Sequence, residues 1–571
     1  MGSEENNIRV VVGLDFGTSY SGFAYCHVNE YKNLVSSNDL WHGEVGQLKT
    51  NTVLQYDNEY NNVKSWGAPA LAKKQTRRTR QQDNTKDNRP VELFKLHLGD
   101  LLEEFKPKLP DIDYKKAITD YLRKIGQVIK ETIAKHWPMI DYFKNVLLII
   151  TIPAIFPEKS KAIMRICAFN AGLIEKEHSI NLQFTTEPEA AAVYCIENLK
   201  GETLARPGTN FMIVDCGGGT VDLTVRKLIN DNQLGEITES SGGFCGSTFI
   251  DKEFIKYLRK VIGDKPMDLL DKNYEKMQYL IQQFCKYGKI PFTGDDPDFS
   301  YELDIQDTVP ILKQYISDDD VIETLEEDEW VIEIDSESMK SIFEPVVQEI
   351  LFLIKSQLDS TQETCSAMFL VGGFSESKYL QKRIKEKFNR RVENISVPIQ
   401  PIAAIARGAS IYGLSIKSND LNNVGNDDNK CVISTRVLKY TYGIEVSHDW
   451  KEGDPIRKKT YGGHIDKFGC LVKRGTEMNI DQEITNYCVP LYSYQMNMTM
   501  KIYYTQEYDG EYCDDPGMKL LGTLTVGFPG SGFDRCVLFG LTFGKMEIIA
   551  TSKDKQTGQI YKTTFKYSLD D

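Results

Sequence analysis

A chain that twice ends an apolar strand on an aspartate, and each time turns there on glycine and hydroxyl residues, has few folds open to it. The segment Phe211 to Val225 reads Phe-Met-Ile-Val-Asp-Cys-Gly-Gly-Gly-Thr-Val-Asp-Leu-Thr-Val. Its apolar start predicts a buried strand with Asp215 at the end, and Val221, Leu223 and Val225 alternate with polar residues as a second strand. The result is a hairpin with a bare tip. Gly217, Gly218 and Gly219 carry no side chain, so backbone N–H groups can crowd around an anion, while Thr220 adds a hydroxyl and Asp215 a carboxylate suited to a divalent cation. Glycine-rich turns also occur without any ligand. The second copy gives the pattern weight. Val10 to Ser21 reads Val-Val-Val-Gly-Leu-Asp-Phe-Gly-Thr-Ser-Tyr-Ser, again a strand ending in an acid, Asp15, followed by Gly17, Thr18, Ser19 and Tyr20. Two such turns facing each other would hold one polyphosphate from both sides. A third stretch, Met368 to Ser375, runs a strand into Gly372, Gly373 and Phe374, with a helix expected from about Glu376 to Phe388; a flat ring or ribose could lie there against backbone.

The rest of the chain alternates strand and helix. Ile118, Tyr121, Leu122, Ile125, Val128, Ile129 and Ile133 recur at helical spacing. Leu147 to Ile152 predicts a strand, and Glu158 to Ala171 a helix closed by Gly172. Strand then helix, repeated, predicts an α/β layered fold. Glu187-Pro188 opens another helix, where proline at the first position is tolerated and an acid suits the dipole, so Glu187 could serve only as a cap. Lys95, in Val91-Glu-Leu-Phe-Lys-Leu-His-Leu, could equally be a surface lysine, and Gly242, Gly243 and Gly246 a plain loop before a helix. Lys73, Lys74, Arg77, Arg78 and Arg80 form a basic segment best taken as a solvated loop, and the acidic stretch 295–329 is expected to be an irregular lobe edge.

Ser418 to Lys430 is the clearest linker, and from about Cys431 the composition turns to β, with Met496, Met498, Met500 and Ile502 alternating as the core face of a strand or as an adaptable peptide surface. A net charge of −14 argues against nucleic acid or an anionic membrane as main partner, and the longest apolar run is too short to span a bilayer. The polar first residues carry no secretory signal, and the 12 cysteines lack C-x-x-C spacing, which together predict reduced thiols in a cytoplasmic, or also nuclear, protein. The seven histidines lack metal-ligand spacing.

The three glycine-rich stretches, in this order, resemble the actin-like ATPase superfamily. Thr185 to Ile196 (Thr-Thr-Glu-Pro-Glu-Ala-Ala-Ala-Val-Tyr-Cys-Ile) and Lys553 to Phe565 narrow the resemblance to the seventy-kilodalton heat shock protein family, its divergent subfamily twelve above all. The resemblance implies two duplicated lobes with a cleft between them over residues 1–417, a polar linker over 418–430, and a β-sandwich-like substrate-binding domain over 431–571 without room for the family's helical lid.

It also implies slow hydrolysis of ATP to ADP with Mg²⁺ held through water by Asp15 and Asp215. Gly17, Thr18, Ser19, Tyr20, Gly217, Gly218, Gly219, Thr220 and Gly246 would surround the phosphates, with Asp222 supporting the second hairpin. Lys95 and Glu187 would position the attacking water, and Lys289, Gly372, Gly373 and Phe374 would face the nucleoside. Client peptides or unfolded proteins would be the partners of a monomer, with J-domain co-chaperones and exchange factors left open. The chain departs from the family in five places: Ile290 replaces the arginine that stacks on adenine, Cys285 an acid, Glu189 a threonine, Ile402 a polar residue, and the leucine-rich linker is missing. Those departures keep two rivals in view, a nucleotide-sensing scaffold or pseudo-chaperone with little turnover, and a small-molecule kinase of the same superfamily.

Overall fold

The computed structural model describes residues 7–29, 35–73, 90–199, 206–230, 232–361, 363–421, 432–527, 530–543, 546–555, 558–564 and 566–567. Of the basic segment, Lys74 onward lies outside them, as does the linker from residue 422.

Two sheets repeat one topology. In the first lobe the strands Leu182–Thr186, Val146–Ile152 and Val10–Asp15 run parallel, and Tyr20–His27 returns antiparallel to the last of them. In the second lobe Asn394–Ser396, Ala367–Val371 and Asn210–Cys216 run parallel, and Val221–Asn230 returns antiparallel. Every residue of Val10–Asp15, Val146–Ile152 and Asn210–Cys216 is buried, the continuous apolar pattern expected of a parallel sheet covered on both faces. One core packs under each sheet, around Phe16, Tyr121 and Ile150 in the first lobe and around Val214, Phe254 and Phe343 in the second.

A third core lies between the lobes. It is built by the helices Glu187–Leu199 and Ala404–Leu421. They cross at Gly408, where a Cβ would run into the Ala190 carbonyl, and Gly13 of the first strand packs the same way, its absent Cβ leaving 2.6 Å to the amide of Ser410. Small residues let the backbones approach to contact distance. The second helix continues to Leu421, so the linker proposed for 418–430 begins inside it.

Two expectations need correction here. Residues 295–329 are not irregular: Ser300–Asp304 pairs with Val331–Asp335, Asp319–Glu327 is a helix capped by Asp318, and Leu325 is buried in the second lobe's core. Acidic residues take the outer positions and the apolar ones point inward, which composition alone does not reveal. Nor does a boundary at 431 follow the sheets. The strand Ile433–Val437 pairs in parallel with Gln233–Glu236, and Glu477–Asn479 pairs with it in turn, so both extend the second lobe's sheet. The remaining C-terminal strands form two sheets, the central ones of the first being Thr441–Asp449, Asn497–Thr505 and Lys519–Gly527, and of the second Val537–Thr542 and Ile549–Asp554. Met498, Met500 and Ile502 are buried between them and Met496 is exposed, so the methionine stripe is mainly core.

Candidate functional site

The strand registers set the site. Asp15 lies opposite Gly22 and Asp215 opposite Asp222, so each hairpin presents its acid at the mouth of its own turn. The two tips meet across the cleft. A Cβ on Gly218 would strike Ser19 Oγ, and one on Gly219 would lie 2.7 Å from Thr18 Oγ1. The carbonyls of each tip are held from behind. In the first, Thr52 donates its amide to Ser19 O (2.8 Å) and its hydroxyl to Gly17 O (2.9 Å). In the second, Ser247 N donates to Gly217 O (3.0 Å), Thr248 N and Oγ1 both to Gly218 O (2.9 Å each), and Gly246 N to Gly219 O (3.2 Å). Gly246 is thus bonded directly to the second tip, and Thr52 and Thr248 brace the two tips although no local sequence signal marked Thr52.

Lys95 is fully buried, on the short helical turn Phe94–Leu98 that follows Leu93 in left-handed conformation (φ 59°). Its Nζ lies 2.6 Å from Glu187 Oε1 and within 5.6 Å of the Phe16 ring centre. Neither residue is a surface group. Asp222 accepts from Ile155 N at 3.2 Å, and Ser19 Oγ, Asp215 Oδ1 and Asp222 Oδ2 are buried without a hydrogen-bond partner. Burial, reinforced by Asp222 and Asp15 and opposed by Lys95, holds the Glu187 carboxyl above the ordinary glutamate range. Burial raises Asp215 strongly, with Glu187, Asp222 and Asp15 adding to it, and raises Asp222 as well. Acids crowded this closely, with oxygens left unsatisfied, form a site that is stabilised by a cation and completed by donors on a ligand. Mg²⁺ fits that donor set, with Asp15 and Asp215 as the carboxylates able to hold its water shell.

The nucleoside side is mixed. A Cβ on Gly373 would meet nothing, which leaves open space beside the backbone, whereas Gly372 sits against Asp215 and Cys216, with the Cys216 carbonyl 2.5 Å from where its Cβ would be. Phe374 corrects the sequence reading: it is only 6% exposed and packs into the second lobe's core, so it supports the loop from beneath instead of facing a ligand. Lys289 Nζ pairs with Asp251 at 2.5 Å, the Cys285 thiol lies 3.3 Å from the same carboxylate, and burial pushes that thiol up to about 12, so it stays protonated. Asp251 thus supplies Lys289 with its carboxylate partner. Ile290 is 73% exposed and offers no planar cation. Tyr20, half exposed, stands at the rim of the first tip.

Duplicated lobes joined through crossing helices, with paired acid-tipped turns closing on one cleft, define the actin-like ATPase fold. No family model matches the chain. Among characterised proteins it is 25% identical to mouse (Mus musculus) heat shock 70 kDa protein 12A over 98% of its length and 92% of that protein's. It is 22% identical to human (Homo sapiens) heat shock 70 kDa protein 12B over 99% and 92%, and 22% identical to chaperone protein HscA of Pectobacterium carotovorum subsp. carotovorum (strain PC1) over 84% and 66%. The chain is a relative of the heat shock 70 kDa proteins, of the 12-like kind.

Proposed function

We propose that the chain binds ATP or ADP with magnesium in this cleft, hydrolyses ATP slowly, and uses the nucleotide state to control a C-terminal β-rich part that holds unfolded or partly folded protein. The observation that carries the reading is the contact of the two hairpin tips around buried oxygens that lack partners. Mg²⁺ bound through Asp15 and Asp215 would neutralise the β- and γ-phosphates. The chain's own part is positional. Backbone amides of the tips, with Thr18, Ser19 and Thr220, hold the phosphates; Lys95, tied to Glu187, orients water, and Glu187, held above its ordinary range, can accept a proton near neutral pH. Lys289 and the open face at Gly373 receive the nucleoside.

The C-terminal region is tied to both lobes by two ion pairs and a hydrogen bond. Glu547 grips Arg165 of the first lobe (2.7 and 2.5 Å), Arg474 grips Glu239 of the second (3.2 and 2.9 Å), and Lys439 donates to Ala154 O. A change in lobe angle would strain all three. The second reading, a nucleotide sensor with little turnover, is favoured by the exposed Ile290 and by Lys289 being already committed to Asp251. Calorimetry with ATP and ADP, together with phosphate release by the full chain, separates the two. Binding with turnover that Asp15→Asn and Asp215→Asn abolish supports the ATPase; tight binding without turnover supports the sensor; no binding refutes both. The full chain is needed because the strand Ile433–Val437 belongs to the second lobe's sheet.

A further inference from the structure

Lys49 has no part in the site as read from the sequence, yet its ammonium lies 2.5 Å from Asp15 Oδ2, with the two side chains 9% and 2% exposed. The register explains how it gets there. Thr50 pairs with Ser21, and Gly22 pairs with Asp15, so Lys49, Gly22 and Asp15 follow one row across three strands. Gly22 is the gap in that row. A Cβ there would lie 2.8 Å from Lys49 Cγ, so the missing side chain is the channel through which the lysine stem reaches the acid. From that place the ammonium also acts on Asp215 and on Glu376, both in the second lobe. The charge of one lysine of the first lobe is thus felt by acids of both lobes.

A buried lysine held only to neutralise Asp15 would be a costly arrangement, since removing both charges would spare both desolvation penalties. An ammonium has three donors, and Asp15 Oδ2, although paired with it by charge, takes none of them in hydrogen-bond geometry. On the nucleotide reading given above, the incoming polyphosphate tail brings negative charge to within reach of Asp15, where unscreened repulsion would oppose it. We propose that Lys49 is a cation supplied by the chain to that tail, bridging Asp15 and a non-bridging phosphate oxygen, so that nucleoside diphosphate binding persists in part without a divalent ion.

The test uses the full chain and calorimetry with ADP and with adenosine, each in saturating magnesium and in excess EDTA, for the wild type, Lys49→Met and Lys49→Arg. Wild-type protein is expected to bind ADP measurably in EDTA. Lys49→Met should weaken ADP roughly tenfold in EDTA, by less in magnesium, and leave adenosine unchanged, since the loss of one charge-assisted hydrogen bond is worth about that factor. Lys49→Arg should recover most of it. A Lys49→Met chain whose ADP affinity in EDTA stays within about twofold of wild type, a wild type that binds ADP only with magnesium, or an equal loss for adenosine overturns the assignment. If Lys49→Met fails to fold, the arginine variant decides, because its ADP-to-adenosine ratio in EDTA must match that of the wild type. Failure of the wild type to bind either compound in either buffer would instead refute the nucleotide reading itself.

Discussion

Replacing Glu189 by methionine should free the strand Ile433–Val437 from the second lobe's sheet. Glu189 follows the Glu187-Pro188 pair and is 1% exposed. Its carboxylate takes a forked pair of bonds from Arg436, Nε to Oε1 and Nη2 to Oε2, both 3.0 Å, while the Arg226 guanidinium stands 3.7 Å from Oε1. Arg226 keeps Glu236 at 3.4 Å and Thr224 at 3.0 Å after the substitution, and Arg436 keeps the Tyr412 hydroxyl at 3.2 Å. Arg436 then loses both bonds of the fork, and breaking a buried ion pair by removing one partner costs about 3–5 kcal/mol.

The cost falls on the strand that carries Arg436. Hydrogen exchange of the Ile433–Val437 amides in the full chain should therefore accelerate by roughly two to nearly four orders of magnitude, at about 1.36 kcal/mol per decade. Arg436→Met should do less, because Glu189 retains Arg226. The double variant should exchange more slowly than the sum of the two single effects requires, since the desolvation penalty disappears with both charges. Acceleration of less than about tenfold in Glu189→Met, or strict additivity in the double variant, would refute the argument that these charges latch the strand.

The same carboxylate gives a pH prediction. Arg436 and Arg226 hold Glu189 down at about 2, below its ordinary value of 4.5, against the opposing effect of burial. A group depressed in the folded state stabilises above its unfolded value and loses that contribution as the pH falls toward the folded one. The difference in melting temperature between wild type and Glu189→Gln should be constant above about pH 5 and shrink between there and pH 2; a difference independent of pH would sink the assignment. Gly372→Ala places a side chain on Asp215 at a φ of +84°, so it should cost about 1–2 kcal/mol in backbone strain and weaken magnesium-dependent ADP binding, measured by thermal melting and calorimetry. Ile290→Arg supplies a planar cation at the nucleoside side and should tighten ATP roughly two- to fivefold without altering inorganic phosphate binding, as calorimetry would show.

The parts of the site that could be read from the chain are those whose chemistry is local. An acid at a strand end followed by glycine and hydroxyl residues has few alternatives; Asp15 and Asp215 end their strands beside the turns, and Gly218 and Gly219 lie against Ser19 and Thr18. Lys49 and Thr52 are not marked by the sequence because Lys-Thr-Asn-Thr says nothing by itself; their meaning comes from the two residues between them, Thr50 and Asn51, pairing with Ser21 and Tyr20. Phe374 was misplaced because an aromatic after two glycines can as well support a loop as face a ligand, and only burial distinguishes the two. The β character after residue 431 was legible from alternation. Which sheet Ile433–Val437 would join was not, since its hydrogen-bond partners lie some two hundred residues earlier.

The meeting of Gly408 with Ala190 sets a mechanical limit. Where one backbone already rests on the other, the two helices cannot come any nearer along that line. A single methyl at position 408 would press on the Ala190 carbonyl and wedge the helices apart at the one place where both lobes lean on the same seam.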